Sequence, residues 1–280
     1  GFILSDAAYE VARTFRHQPF RMERHMARLF STLRYLAIDP GMSAGAMQDL
    51  ALEVLERNLH LLDKDGEYRI IFRVTRGLNP ASYPVVRAWN APTILICTTP
   101  VAFASFAARY RTGVPVITPS VRRTPPQCLD PRAKTHERLN LILGQLEVAK
   151  VDPSAIPLLL DLQGNITESA AANVFFVCGG ELWTPAARMV LGGITRETVI
   201  ELAHGTGIPV QEREITLFDA YNAQEAFLTS TSFSVMPISR INSRPLGDAI
   251  PGPVTQALTE AFGDLAGVDI VERASRHLKG

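Results

Sequence analysis

The chain is short of cysteine, of net charge and of long apolar runs, and each shortage removes a class of protein. Its 280 residues hold three cysteines, Cys97, Cys128 and Cys178, widely spaced and without a CxxC pair. An odd, scattered set builds no disulfide framework and fits a reducing, cytoplasmic compartment. Lys plus Arg and Asp plus Glu number 28 each, so the formal net charge is zero. A nucleic-acid binder carries a basic excess or a clustered basic run, and neither is present, so no nucleic-acid partner is expected. The longest apolar runs, such as Pro92–Cys97 and Ile156–Leu160, fall well short of the roughly 20 residues that cross a bilayer. Gly1–Arg13 has no basic segment leading into an apolar block, and no membrane partner is expected. The six histidines lie apart, without metal-ligand spacing, so no metal site is expected. Dinucleotide, P-loop, nucleophile-elbow and HExxH signatures are missing too.

What is there is an ordinary globular composition, 46% hydrophobic and 20% charged, at a length that suits about two domains. The chain opens without Met, inside an apolar segment, and residues before Gly1, including first strands of a domain, are expected to lie outside it. Apolar spacing predicts helices over 20–37 (Met26, Leu29, Phe30, Leu33, Leu36) and 45–61 (Met47, Leu50, Leu55, Leu59). Two β-branched, aromatic runs, Glu67–Arg76 and Pro92–Thr98, predict strands. Together these form a small N-terminal α/β domain over 1–100, with a linker over 101–113. A larger domain over 114–280 follows, with a helix over 134–150 and strands over 156–162, 173–178 and 181–184. A helix from Thr195 ends at Gly205 or Gly207, strands cover 225–229 and 235–238, and a helix covers 253–262. The fold class is α+β, two domains, the larger with a mixed or antiparallel sheet. His204–Gly207 follows a helix, which makes it a helix end rather than a phosphate loop.

Four segments carry chemistry. Leu191–Arg196 (LGGITR) is a glycine turn opening into a helix, which offers an anion site at Gly193, Ile194 and Thr195 but taken alone reads first as a plain tight turn. Thr229–Ser232 puts four hydroxyls in a row at the end of an apolar strand, donors for an anion or simply a polar loop. Gly164–Val177 (GNITESAAANVFFV) sets Glu168 and Asn173 among small and apolar residues, where a carboxylate needs a cationic partner: a ring nitrogen or a structural Arg. Lys134 stands alone ahead of a helix, and taken by itself is a surface lysine.

In this order and spacing, GNITESAAANVFFV, LGGITRETVIELA and KTHERLN resemble the fold-type IV aminotransferases that use pyridoxal 5'-phosphate, over nearly the whole chain. The resemblance implies an enzyme, a transaminase. Lys134 matches its Schiff-base lysine, Glu168 the carboxylate facing the pyridine nitrogen, and Arg28 the arginine on the cofactor phosphate. Gly193, Ile194, Thr195 and Thr231 match further phosphate donors, and Arg138 lies near the cofactor. Homodimers are typical of the family.

The opening GFILSDAAYEV, which includes Tyr9, is similar to that of (R)-amine transaminases, whereas Leu4 stands where they carry His. Lys-x-x-x-Arg-Leu is similar to aminodeoxychorismate lyase and some D-amino-acid transaminases. The Arg and His that follow TRG-x-x-P in the D-amino-acid type are replaced here by Ala81–Ser82–Tyr83. The expectation is a transaminase moving an amino group between a D-amino acid or (R)-amine and a small 2-keto acid. A branched-chain L-amino-acid aminotransferase is the alternative, then a lyase of the aminodeoxychorismate type, with a non-catalytic relative last. Candidate substrate contacts are Tyr9, Arg87 and Ser232, with Arg73 and Arg76 as further choices for a carboxylate. Strand alternation puts Arg73 on the side of Arg69 and Arg76 on the other.

Overall fold

The computed structural model describes residues 5–77 and 92–278. Arg87 and the segment after Gly77 lie outside the described residues. The chain divides into two compact units, 1–101 with 133–138, and 102–132 with 139–280.

In the first unit, β1 (Ala7–Phe15), β2 (Gln18–Pro19), β3 (Tyr68–Thr75) and β4 (Thr93–Pro100) form an antiparallel sheet in the order β2-β1-β3-β4. Helices α1 (Met22–Tyr35) and α2 (Ala44–Asn58) cover one face. The reason is alternation: Ala8 and Ala12 of β1 and Tyr68, Ile70, Phe72 and Val74 of β3 point to that side. They meet Met22, Met26, Leu29 and Leu33 of α1, spaced at helical period, and Met47, Ala51 and Leu55 of α2. The opposite face carries Tyr9, Val11, Arg69, Ile71, Arg73 and Leu95, with Tyr9 paired to Arg73 and Val11 to Ile71.

The strand β1 has no counterpart among the sequence expectations. Its AAYEVARTF places Glu10, Arg13 and Thr14 at buried positions, so polar residues hide the apolar alternation that marks a half-buried strand. The segment expected as the linker, 101–113, carries helical turns. Phe103–Ser105 makes a helical turn and Arg109–Thr112 a short helix, α3, and Phe103 and Tyr110 are buried in the second unit.

The second unit continues with β5 (Val114–Ile117), α4 (Leu139–Val151), β6 (Ile156–Leu160), β7 (Ile166–Ser169), β8 (Asn173–Cys178) and β9 (Glu181–Pro185). After these come α5 (Ile194–Gly205), β10 (Val210–Arg213), α6 (Leu217–Tyr221), β11 (Glu225–Ser230), β12 (Ser234–Ile241), β13 (Arg244–Pro245), α7 (Pro253–Ala266) and α8 (Ile270–Ser275). The sheet runs β10-β9-β8-β11-β12-β5-β6-β7, with β13 beside β12, and mixes parallel and antiparallel pairs. Phe175, Phe176 and Phe227 fill its core, Phe175 stacked on Phe227 at 5.1 Å.

The helix expected over 134–150 begins only at Leu139. Residues before it are held against β1 instead: Tyr9 N–H donates to Lys134 O (3.0 Å) and His136 N–H to Ala7 O (2.9 Å). The apolar period starts at Leu139, and nothing in Lys134–Arg138 adds to it. Helix α4 buries Leu141, Gly144 and Val148 on one side. On the other it exposes Leu139, Ile142, Leu143 and Leu146, at 43% (Ile142) to 63% (Leu139) accessibility. No helix among the described residues is long and apolar enough to cross a membrane.

Candidate functional site

Two clusters of chemistry-bearing residues stand out, one in each unit. The first begins with Glu10, fully buried on the helix-facing side of β1. A buried charge must be paired, and α1 supplies the partners. Arg28 Nε donates to Glu10 Oε2 (2.8 Å) and Nη2 to Oε1 (2.6 Å), a two-pronged contact. His25, three residues earlier on the same helix face, puts Nδ1 3.1 Å from Oε1. Burial alone would push the Glu10 carboxyl up. The Arg28 charge and the hydrogen bonds from His25 and Arg28 reverse this and hold it far below the carboxylate range. Burial pushes His25 down, against its bond to Glu10, so the ring is neutral near pH 7 and donates through Nδ1.

Lys134 belongs to a segment bridged to the same strand, near Ala8. Its backbone N–H donates to Thr32 Oγ1 (3.1 Å), which in turn donates to Arg28 O (3.1 Å), so Lys134 and Arg28 are joined through one hydroxyl. Its Nζ lies 4.4 Å from the centre of the Tyr9 ring. Arg138 Cζ is 5.7 Å from that centre, and the His136 ring packs against Tyr9 at 5.0 Å. Tyr9 is therefore an aromatic floor for the Lys134 and Arg138 cations, drawn by the attraction of a ring face for positive charge, with the His136 ring packed against it. Burial, reinforced by the Arg73 and Arg138 charges, pushes His136 down. Arg76 is committed elsewhere, to Asp6 (Nε–Oδ2 2.5 Å) and the Leu36 and Ala37 carbonyls. Arg73 stays on the Tyr9 face, as alternation requires.

The second cluster gathers at β7 and the starts of β8 and α5. Glu168, on β7, is 6% exposed. Its Oε2 accepts from Leu191 N–H (3.1 Å) and, at 3.5 Å, from Asn173 Nδ2; its Oε1 accepts from Arg123 Nε (3.1 Å). Asn173 also donates to Leu191 O (2.9 Å), tying the carboxylate to the turn that leads into α5. That turn needs glycine at 193, because a Cβ there would run into Asn173 Oδ1. Gly193 caps α5 without a side-chain hydrogen bond, which leaves the amides of Ile194 and Thr195 at an N-terminus built for an anion. Arg196, by contrast, is buried and structural, donating to Pro185 O (3.0 Å) and Glu212 Oε2 (2.7 Å).

Across the β8–β11 pair, Thr229 faces Asn173, and the turn Thr231–Phe233 links β11 to β12. The Thr229 and Ser234 hydroxyls, at either end of that turn, are buried without a hydrogen-bond partner. Buried orphan hydroxyls beside an uncapped helix start and an ion-paired carboxylate suit a ligand with an anionic group and a protonated nitrogen.

Of the residues singled out from sequence, the first unit brings together Tyr9, Arg28, Lys134 and Arg138. The second brings together Glu168 and Gly193–Thr195, with Thr231 and Ser232 on the turn beyond Thr229. The sequence assigns no role to Glu10 or Arg123. Glu10 is concealed in a strand whose pattern is masked by polar residues, and Arg123 carries only the signal of a tandem arginine before prolines. His25, one of the scattered histidines, is buried and hydrogen-bonded to Glu10.

Comparison with known proteins gives a match to the family model for amino-transferase class IV over residues 7–241. A putative branched-chain-amino-acid aminotransferase of Methanocaldococcus jannaschii is 33% identical over 268 residues, 95% of this chain and 88% of that protein. A D-alanine aminotransferase of Bacillus licheniformis is 28% identical, over 94% of this chain and 88% of its own length. Among solved structures, the T.th. branched-chain amino acid aminotransferase complexed with N-(5'-phosphopyridoxyl)-L-glutamate superimposes with a TM-score of 0.83. It is 26% identical, and the match covers 94% of this chain and 86% of that one.

Proposed function

The chain belongs to the class IV aminotransferases, enzymes of fold type IV that work with pyridoxal 5'-phosphate, and we propose that it moves an amino group between a branched-chain L-amino acid and a 2-keto acid. The observation that carries this reading is the face of the first sheet beside Lys134. That face carries Tyr9, Val11 and Ile71, suited to an apolar substrate side chain, alongside Arg69 and Arg73. The branched-chain relative and the branched-chain solved structure support it further. So does the replacement of the Arg and His after TRG-x-x-P by Ala81–Ser82–Tyr83. The second reading, a D-amino acid or (R)-amine donor, draws support from the D-alanine aminotransferase relative and from the SDAAYEV opening.

When bound, the cofactor supplies an aldehyde and an electron-accepting ring. Lys134 would provide the amine that holds the cofactor and the base for the substrate α-proton. Glu168 would face the ring nitrogen and favour its protonated form. The candidates to hold the cofactor phosphate would be Arg28 in the first unit and, in the second, the Gly193–Ile194–Thr195 helix start and Thr231. Arg138 lies near the cofactor. Arg73 on the Tyr9 face, Arg87 and Ser232 are the candidates for the keto acid carboxylate. The partners are an amino donor and a keto acid acceptor. A second copy of this chain covers the exposed Leu139–Ile142–Leu143–Leu146 stripe of α4, since an apolar helix face of that extent marks an interaction surface. Three free cysteines fit a cytoplasmic setting.

The test is the visible spectrum of the cofactor-loaded protein before and after L-leucine, D-alanine or (R)-1-phenylethylamine. L-Leucine alone should bleach the absorption band. Bleaching by D-alanine or the amine in its place would move the assignment to the second reading.

A further inference from the structure

Glu168 is a nearly buried carboxylate beside Ala170–Ala172, and its bonds to Leu191 and Asn173 are already accounted for by the turn into α5. Its bond to Arg123 is not. The Arg123 backbone is fixed one strand away: its N–H donates to Leu160 O at 2.8 Å, and Leu160 pairs with Ile166 on β7, two residues before Glu168. From that anchor the guanidinium reaches Glu168 with Nε 3.1 Å from Oε1, the two side chains being 13% and 8% exposed. The neighbouring Arg122 turns away, with Nη1 3.4 Å from Pro119 O. One of the two arginines is thus selected by the backbone for the carboxylate. A planar guanidinium donating to one oxygen, with Leu191 N–H on the other, fixes the plane of the carboxylate as well as its charge. A lysine could supply only the charge.

We infer that Arg123 is a positioning residue: it aims the Glu168 carboxylate and thereby sets how firmly the cofactor ring nitrogen is held. This rests on the role given to Glu168 above. It predicts an effect that travels only through Glu168, and a double-mutant cycle reads such an effect directly.

The experiment strips the full-length protein of cofactor and titrates pyridoxal 5'-phosphate back into the wild type, Arg123→Gln, Arg123→Lys, Glu168→Gln and Arg123→Gln/Glu168→Gln. Thermal melts run alongside. Arg123→Gln should weaken cofactor affinity about tenfold, the size expected when a buried partner of a functional ligand is lost. In the Glu168→Gln background the same change should cost less than about twofold. Arg123→Lys should recover part of the loss, and kcat should fall in Arg123→Gln with the KM for the keto acid little changed. An equal loss in both backgrounds, or no loss, would overturn the inference and leave Arg123 a fold-supporting residue. If Glu168→Gln alone changes neither the affinity nor the absorption spectrum, the role of Glu168 itself fails, and the inference with it.

Discussion

The two clusters solve the handling of charge in opposite ways. In the first unit the groups are long, flexible cations, and they are kept in place by a buried acid, Glu10, and an aromatic ring, Tyr9. In the second unit the donors are mostly backbone amides and hydroxyls, and the carboxylate of Glu168 is held by neighbours from separate segments. Side-chain order is costly in entropy and needs an ion pair to hold it. Backbone order comes with the fold. The first cluster should therefore be the one that a single charge change, or acid, dismantles.

Five measurements, taken in order of expected size, put that contrast at risk. The largest effect belongs to Lys134→Ala, which should abolish turnover, a loss of at least about two to four orders of magnitude in kcat. It should leave the fold intact, because Lys134 is held by its backbone to Tyr9 and Thr32. Turnover near wild type in a steady-state assay would reject its role. Next is Glu10→Ala, which removes the buried acid that Arg28 and His25 bond and should cost about 3–5 kcal/mol in urea unfolding. An unchanged midpoint would show that the first cluster does not depend on its acid. Glu168→Gln should still bind the cofactor and react on the order of a hundredfold more slowly, while its unfolding midpoint moves less than that of Glu10→Ala.

Acid titration gives a smaller, graded effect. Both Glu10 and His25 are held below their ordinary values of 4.5 and 6.5, so the folded chain binds fewer protons than the unfolded one. Stability is whole above pH 6.5, declines as His25 tends toward protonation below that, and falls further below about 4.5. Glu10→Gln should flatten the lower limb of the curve, measured by urea unfolding at a series of pH values. The mildest change is Leu143→Glu with Leu146→Glu on α4, which should shift the protein toward monomer in sedimentation while leaving its circular dichroism unchanged.

Legibility follows the same division. The second cluster can be read in advance because its determinants are local: a glycine turn before a helix, a hydroxyl run after a strand, a carboxylate just ahead of three alanines. The first can be read only in part. Resemblance finds Lys134 and Arg28 but not the strand that joins them, since Glu10, Arg13 and Thr14 are buried polar residues at positions where periodicity looks for apolar ones. Periodicity also puts Lys134 on a helix, because the regular apolar pattern from Leu139 onward overruns its own start. Its true setting, a segment bridged to β1 near Ala8, depends on pairing between residues distant in sequence, which no local pattern carries. Arg123 is similar: its partner lies 45 residues on.

Of Lys64, Lys134, Lys150 and Lys279, Lys134 alone should bond the cofactor, and every role assigned in both clusters depends on it. Borohydride reduction of the cofactor-loaded protein, followed by digestion and mass mapping, reads this directly. The expected result is a single pyridoxyl adduct on the peptide that contains Lys134. An adduct on another lysine, or none after full loading, would contradict it.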